Sequence, residues 1–555
     1  MDPVTAEIIK SSLVYASEEM GIAVRNSAYS PNIKERLDHS CALFDGRGRL
    51  IAQAEHIPVH LGSLPWGLRA TLEVIKQKYG DVCEGEMWVV NDPYISGTHL
   101  NDVTVIRPIF FRSELVGYAA NKAHHTDVGG MVPGSMSADA GDLFAEGLVI
   151  PPTRLVSGDR AVESTIELFR ANSRTPHARS GDLRAQTAGN YTGERRMIEL
   201  FERYGRATVD AAIERSLEDS EVRMRAALRA LGEGTFEYSD VLEDRDGTPS
   251  IRIALRLTLK DGTAHFDYSG TAAQLAFPIN AVYGVTLSGV YYALRAVTDP
   301  TIPMNEGCFR PVTVHVPEGT LLNPRRPAPV SGGNVETSTR NADVVLGALA
   351  QAAPDRVPAQ SGGTMSNVMI GGVRDDGGTW AFYETNGCGM GARPTMDGLD
   401  GIQCHMTNTL NTPIEAIERD YPLRVVRYEF AERTGGAGRY RGGNGLVRAL
   451  ALTEGTAKLS LLAERHARNP RGAQGGGDGA IGAHTLQTKT GTRERVPAKA
   501  TVSLQPGDAI FVQTPGGGGY GLPVGTGEGT GAVTGSGDAG TGEADSGAGA
   551  GGAGI

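Results

Sequence analysis

Apolar positions recur along the chain with two periods, and the period changes near residue 235. Residues 3–26 follow the helical one. Ile8, Ile9, Leu13, Ala16, Met20 and Ala23 recur at helical spacing, Asp2 can cap the helix and Pro3 takes its first position. "CALFDGRGRLIAQ" (41–53) is an apolar run, a glycine-containing turn and a second apolar run, which predicts a β-hairpin. "LGSLPWGLRATLEVIKQKYG" ends as a helix stopped by Gly80, and "EMWVVND" (86–92) reads as a strand. "DVTVIRPIFF" and "LVGYAANKA" are two strands joined by a polar turn at Arg112–Glu114. Residues 194–231 carry helical spacing and many charge pairs four residues apart, so one or two solvent-facing helices are expected. Later segments, "SIRIALRLTL", "TAHFDYSG", "PVTVHVP", "KLSLLAER" and "AIFVQTPGGGGYG", read as strands, with a helix in "TLSGVYYALRAVTD".

The expected fold is α+β and multi-domain, with β-rich mixed sheets and flanking helices. The change of period divides the chain into an N-terminal α+β region (1–234), a β-rich C-terminal region with glycine-rich loops (235–521) and a glycine-rich tail (522–555). The tail has almost no large apolar residue, so disorder is expected there. With 555 residues, two to four core-forming units are the soft expectation.

Charge and cysteine content narrow the function. A net charge of −11 argues against nucleic acid or an anionic membrane as partner, because both require basic surface. Five cysteines, none in a C-x-x-C pair, suit free thiols in a reducing cytoplasm. "MDPVTAEIIK" lacks the cationic and apolar stretches of a signal peptide, and no apolar run is long enough to span a membrane. A cytoplasmic protein is expected.

The candidate chemistry is concentrated in one place. "NDPYISGTHLNDVTVIRPIFF" (91–111) and "GYAANKAHHTDVGG" (117–130) hold His99, Asp102, His124, His125 and Asp127, three of the chain's 12 histidines among them. With the turn centred at Ser113, antiparallel pairing sets Asp102 directly opposite His124, Cβ atoms about 5 Å apart. His99 lies one short loop earlier. Imidazole and carboxylate ligands from both strand ends suit zinc, iron or manganese better than calcium or magnesium, so a hairpin-built metal site is expected. The bland reading is that these residues cap turns at strand ends. His124 and His125 face opposite sides of a strand, so at most one is a ligand. The register favours His124, leaving His125 to pack or to reach the substrate side. There is no G-x-x-x-x-G-K-[ST], G-x-S-x-G or H-E-x-x-H pattern, so ATP chemistry would need another binding mode or a partner.

Seven blocks in order carry a resemblance: "SPNIKERLDHSCALFDGRGRLIAQAEHIPVHLGS", "NDPYISGTHLNDVTVIRPIF", "ANKAHHTDVGG", "FPINAVYGVTLSGVYYALRAVTDPTIPMNEGCFRPVTVHVPEGTLLNP", "SGGNVETSTR", "NTPIEAIERDYPLRVVRYEFAERTGGAGRYRGGNG" and "TPGGGGYG". Over about residues 3–522 the chain resembles the hydantoinase B / 5-oxoprolinase family, which includes N-methylhydantoinase components of the B type and is related to acetone and acetophenone carboxylase subunits. The resemblance implies a hetero-oligomer with a hydantoinase A-type, ATP-binding partner that phosphorylates a carbonyl oxygen, while the B-type chain holds a divalent metal. It implies an ATP-dependent hydrolase opening a small cyclic amide of hydantoin or 5-oxoproline type. The alternatives are a subunit of an ATP-dependent ketone carboxylase and a non-catalytic scaffold subunit. The metal ligands implied by the same resemblance are Asp38, His99, Asp102 and His124. One departure from the family pattern is His39, where an aromatic apolar residue is usual, and its imidazole would add a ligand or retune the pocket. His125 and Asp127 are the candidates for proton carrier, although Asp127 also suits the cap of the "DVGG" turn. In "SGGNVETSTR", Asn334 and Arg340 are the candidates for contact with the phosphorylated substrate, against a purely structural turn before a helix.

Overall fold

The computed structural model describes residues 2–54 and 56–523. The tail expected to be disordered lies, from Val524 on, outside the described residues. Among the described residues no helix is long and apolar enough to cross a membrane.

The expected α+β architecture is observed, with four sheets and flanking helices among the described residues. Helix α1 (Pro3–Ser27) starts where Asp2 accepts the Thr5 N–H, with Pro3 at the first position. It buries Ile9, Leu13, Ala16, Met20 and Val24, spaced at three and four, and leaves Ile8 exposed. The seven-stranded sheet contains β1 (His39–Asp45), β2 (Leu50–Gln53), β3 (Met87–Val90), β4 (Asp102–Phe111), β5 (Glu114–His124), β6 (Thr153–Ser157) and β7 (Arg160–Ala161), in the order β2-β1-β5-β4-β3-β6-β7. Helix α2 (His60–Tyr79) ends at Gly80, whose φ of 86° few other residues adopt.

The β4–β5 hairpin has the expected register, Asp102 opposite His124, but by a different route. Its turn is the two-residue pair Arg112 (φ 52°) and Ser113 (φ 64°), the left-handed backbone of a tight hairpin turn. A turn centred between them shifts the pairing by one residue. A bulge at Val116, opposite Ile109 and Phe110, restores it.

The helical stretch expected over 194–231 begins earlier and is not simply solvent-facing. It is α3 (Pro176–Tyr204) followed, after Gly205, by α4 (Arg206–Ala230). α3 lays buried amides on the first sheet: Gln186 donates to the Val103 carbonyl at 2.8 Å and Asn190 to that of Val105 at 3.0 Å. This polar seam does not show as hydrophobic periodicity.

Strands β8 (Gly234–Glu243), β9 (Pro249–Lys260), β10 (Thr263–Asp267) and β11 (Val312–His315) form the second sheet, in which only β10–β11 is parallel. Helices α5 (Tyr283–Val297) and α6 (Ser338–Ala352) pack against each other, and α5 also packs on α2. The third sheet contains Asn367–Val373, Thr379–Glu384, Thr456–Leu462 and Lys499–Leu504. One buried cluster joins Phe44, Leu64 and Ile106 to Leu257, Val290, Leu349 and Leu462, so the apolar core runs across residue 235.

Candidate metal centre

His99 sits in the turn that enters β4. Gly97, at φ 86°, makes that turn possible, and a Cβ there would lie 2.9 Å from the Trp66 ring and 3.0 Å from the Ser63 carbonyl of α2. The Lys122 ammonium, buried on β5, clamps the turn by donating to the Ser96 carbonyl (2.8 Å) and Thr98 Oγ1 (3.0 Å). Burial pushes the Lys122 pKa down to about 7, against the pull of Asp102. Asp102 opens β4, and His124 closes β5 opposite it.

Their ligand atoms form a small triangle. His99 Nε2 is 3.1 Å from Asp102 Oδ1 and 3.2 Å from His124 Nδ1, and His124 Nδ1 is 3.4 Å from the same Asp102 oxygen. All three residues are buried. No distribution of imidazole protons satisfies all three edges. Two N–H groups would face each other, or a lone pair would face the carboxylate. Three donors about 2.0–2.1 Å from one cation lie roughly 3.0–3.4 Å apart, so the triangle fits a divalent transition metal. Among the described residues this is the one group of three or more His, Cys, Asp or Glu whose ligand atoms lie this close together. Burial alone would push the Asp102 carboxyl up, but His99, His124 and His60 outweigh it and hold it well below the ordinary range. Burial drives the His124 and His60 pKa values down, which favours neutral imidazoles.

Asp38 precedes β1 and lies beside the triangle. Its Oδ2 is 4.0 Å from His124 Nδ1, within the reach of two ~2.1 Å bonds to one ion. Its backbone carbonyl accepts the His124 N–H at 3.0 Å. His39 faces the other way: Nε2 meets the Gly21 carbonyl of α1 at 3.2 Å, and burial pushes its pKa down to about 3. It therefore joins the α1 packing rather than the ligand set.

His125 turns to the opposite face of the strand, where Nε2 meets Gln186 Oε1 of α3 at 2.9 Å. Asp127 caps its turn. Its carboxylate accepts the N–H groups of Gly129 (3.2 Å), Gly134 (3.0 Å) and Arg174 (2.9 Å), and pairs with the Arg174 guanidinium at 3.0 Å. Neither side chain is brought to the triangle. Asn334 is brought there: Nδ2 lies 3.5 Å from Asp102 Oδ2, and its buried Oδ1 has no partner. It belongs to a single π-turn, Gly333–Thr337, a distortion frequent at functional sites. Arg340 is taken up elsewhere, with its guanidinium nitrogens at Asp240 (3.2 Å) and Glu464 (3.5 Å) in a buried ion network.

Sequence reasoning missed two neighbours. His60 Nε2 is 3.4 Å from Asp102 Oδ2, and its Nδ1 is 2.8 Å from Ser40 Oγ. Tyr383, from the third sheet, stacks on His124. The segment "HIPVHLGS" carried the one available signal for His60, two histidines leading into a helix.

The fold and this cluster define a multi-sheet α+β protein with a buried site suited to a divalent metal. The chain belongs to the hydantoinase B/oxoprolinase family, whose model matches residues 2–523. An uncharacterized protein of Methanocaldococcus jannaschii is 47% identical over 94% of this chain and 90% of its own length. The 5-oxoprolinase 1 of Arabidopsis thaliana is 37% identical over 93% of this chain, which spans only 42% of that longer relative. A Pseudomonas protein named as the B component of a D-/L-hydantoinase is 33% identical over 94% of this chain and 90% of its own. The crystal structure of an ATP-dependent caprolactamase from Pseudomonas jessenii superposes with a TM-score of 0.88 at 31% identity, over 95% of this chain and 93% of that one. Nucleotide-free acetone carboxylase shares the fold, with a TM-score of 0.87 at 19% identity over 94% of this chain and 76% of that one.

Proposed function

We propose that this chain is the metal-bearing, B-type component of a cytoplasmic, ATP-dependent amidohydrolase that opens a small cyclic amide. An A-type partner binds ATP and phosphorylates the amide oxygen. Water adds at the same carbon, the ring C–N bond breaks as the nitrogen takes up a proton, and a second water releases phosphate from the acyl phosphate that remains. The observation that carries this reading is the buried His99–Asp102–His124 triangle, with edges of 3.1–3.4 Å. The family membership, the likeness to a caprolactamase and the lack of any P-loop pattern support it. So does the division of length: this stretch matches part of 5-oxoprolinase 1 and nearly all of a separately encoded hydantoinase component.

Asp38, His99, Asp102 and His124 would hold zinc, manganese or iron, which when bound supplies Lewis acidity and lowers the pKa of water toward about 7. The chain's other residues serve orientation. His60 and Asn334 hold Asp102 Oδ2, leaving Oδ1 in the triangle. Ser40 fixes the His60 ring through Nδ1. The unpartnered Asn334 Oδ1 is an acceptor for the amide N–H of the ring. Tyr383 covers His124 and excludes bulk water from that side.

The test is to purify the chain with an A-type partner and supply ATP with 5-oxoproline, hydantoin or caprolactam. ADP and ring-opened product should form together, and Asp102→Asn should abolish both. ATP-dependent carboxylation of acetone in place of ring opening would favour the carboxylase reading. Turnover unchanged in Asp102→Asn and His124→Ala would favour the scaffold reading and defeat this one.

A further inference from the structure

A second cavity, of about 400 Å³, lies between helices α5 and α6 and the loop of residues 385–413. None of His60, His99, Asp102 and His124 lines it. Val297, Leu346 and Ile402 give it apolar walls; Arg356 and Arg393 stand against one carboxylate, Asp355, and the other polar groups include His405, Ser361 and Gln403. Among the described residues neither arginine has an ion-pair partner, and the buried Arg393 Nε has no hydrogen-bond partner.

His405 is buried at the cavity wall and held there by both ring nitrogens. Its backbone is left-handed, at φ 58°, an unfavourable state for a residue with a Cβ and one that clusters at binding sites. Nε2 is fixed 3.1 Å from Asp343 Oδ1, and the other Asp343 oxygen lies 2.8 Å from Arg465. Nδ1 lies 3.4 Å from the Tyr292 hydroxyl, which also lines the cavity. Burial pushes the His405 pKa down, but Asp343 outweighs it and holds the ring above its ordinary value.

We propose that this cavity is a second small-molecule site, which takes a carboxylate with an apolar body. Guanidinium groups match a planar carboxylate in two-point contact. The aliphatic walls match a short hydrocarbon chain, and the volume is that of a small-ligand pocket. The site stands whether or not the chain opens cyclic amides, because its groups are separate from the metal cluster.

Isothermal calorimetry on the full purified chain tests this with three probes: hexanoate, hexanol and inorganic phosphate. Hexanoate should bind at one equivalent, and hexanol and phosphate at least about tenfold more weakly. The double variant Arg356→Met/Arg393→Met should weaken hexanoate binding by about tenfold or more. Ala296→Phe, at an exposed helix position on the cavity rim, should do the same by filling the space and leaves the charges in place. His99→Ala should bind hexanoate like the wild type. No hexanoate binding, or binding that survives both cavity variants, overturns the proposal. Loss in His99→Ala would move the carboxylate to the metal cluster, and equal affinity for phosphate would leave a simple anion site; either result also overturns it.

Discussion

The Tyr383 ring lies flat on the His124 imidazole, with ring centroids 4.5 Å apart and planes 12° from parallel. The contact joins the end of the β4–β5 hairpin to the third sheet. Tyr383 is itself fixed: its hydroxyl donates to Asn367 Oδ1 at 3.0 Å, and the Arg36 guanidinium sits 4.8 Å from its ring. His124 is thereby held with Nδ1 toward Asp102.

Removing that support should cost metal affinity more than fold. Tyr383→Leu is expected to weaken metal binding by about 10–100-fold with the helix and strand content unchanged. Tyr383→Phe keeps the ring and should stay close to wild type. Chelator competition measures both, and wild-type affinity in Tyr383→Leu would contradict the role given to the stack.

His124 and His125 should separate cleanly despite being neighbours. His124→Ala is expected to lose the metal. His125→Ala should keep it and lose about 1–3 kcal/mol of stability, because Gln186 is left without its imidazole partner. Metal content and urea unfolding of the two variants check this, and metal loss in His125→Ala at intact fold would contradict it.

Glu336 makes stability depend on pH. Its carboxyl is buried, Oε1 accepts from the Met365 N–H and Asn367 Nδ2, and Oε2 has no partner. Burial, then the nearby Glu464 charge, pushes its pKa from an ordinary 4.5 up to about 8. The folded chain therefore holds this proton more tightly than the unfolded one. The stabilising contribution is complete below pH 4.5 and is lost as pH rises toward about 8. Glu336→Gln cannot ionise, so its stability relative to wild type should rise steadily across that window. Parallel denaturation curves with a constant difference between pH 5 and 8 would contradict it.

What was legible in the chain was what depends on near neighbours. A hairpin is local, so the alternation of "DVTVIRPIFF" and "LVGYAANKA" and their short turn led to Asp102 opposite His124. The turn lies half a residue from the expected centre, and the Val116 bulge cancels the error. The residues that close the site arrive by packing. His60 and Tyr383 come from a helix start and another sheet, and Asn334, already a candidate from its glycine-rich block, arrives on a π-turn. Arg340 is drawn into an ion network by packing too: its partners, Asp240 and Glu464, are about a hundred residues away on either side, and no local pattern announces them. His125 and Asp127 sit beside His124 in the chain, but strand alternation and a turn cap send their side chains elsewhere.

His99, Asp102 and His124 are proposed to hold one catalytic metal ion. Elemental analysis of the purified chain, wild type against His99→Ala, tests it most directly, with circular dichroism confirming that both are folded. The expected result is about one equivalent of zinc, manganese or iron in the wild type and little in the variant. A wild-type chain that takes up no transition metal even when supplied with it, or a folded His99→Ala that retains the full equivalent, would contradict the account.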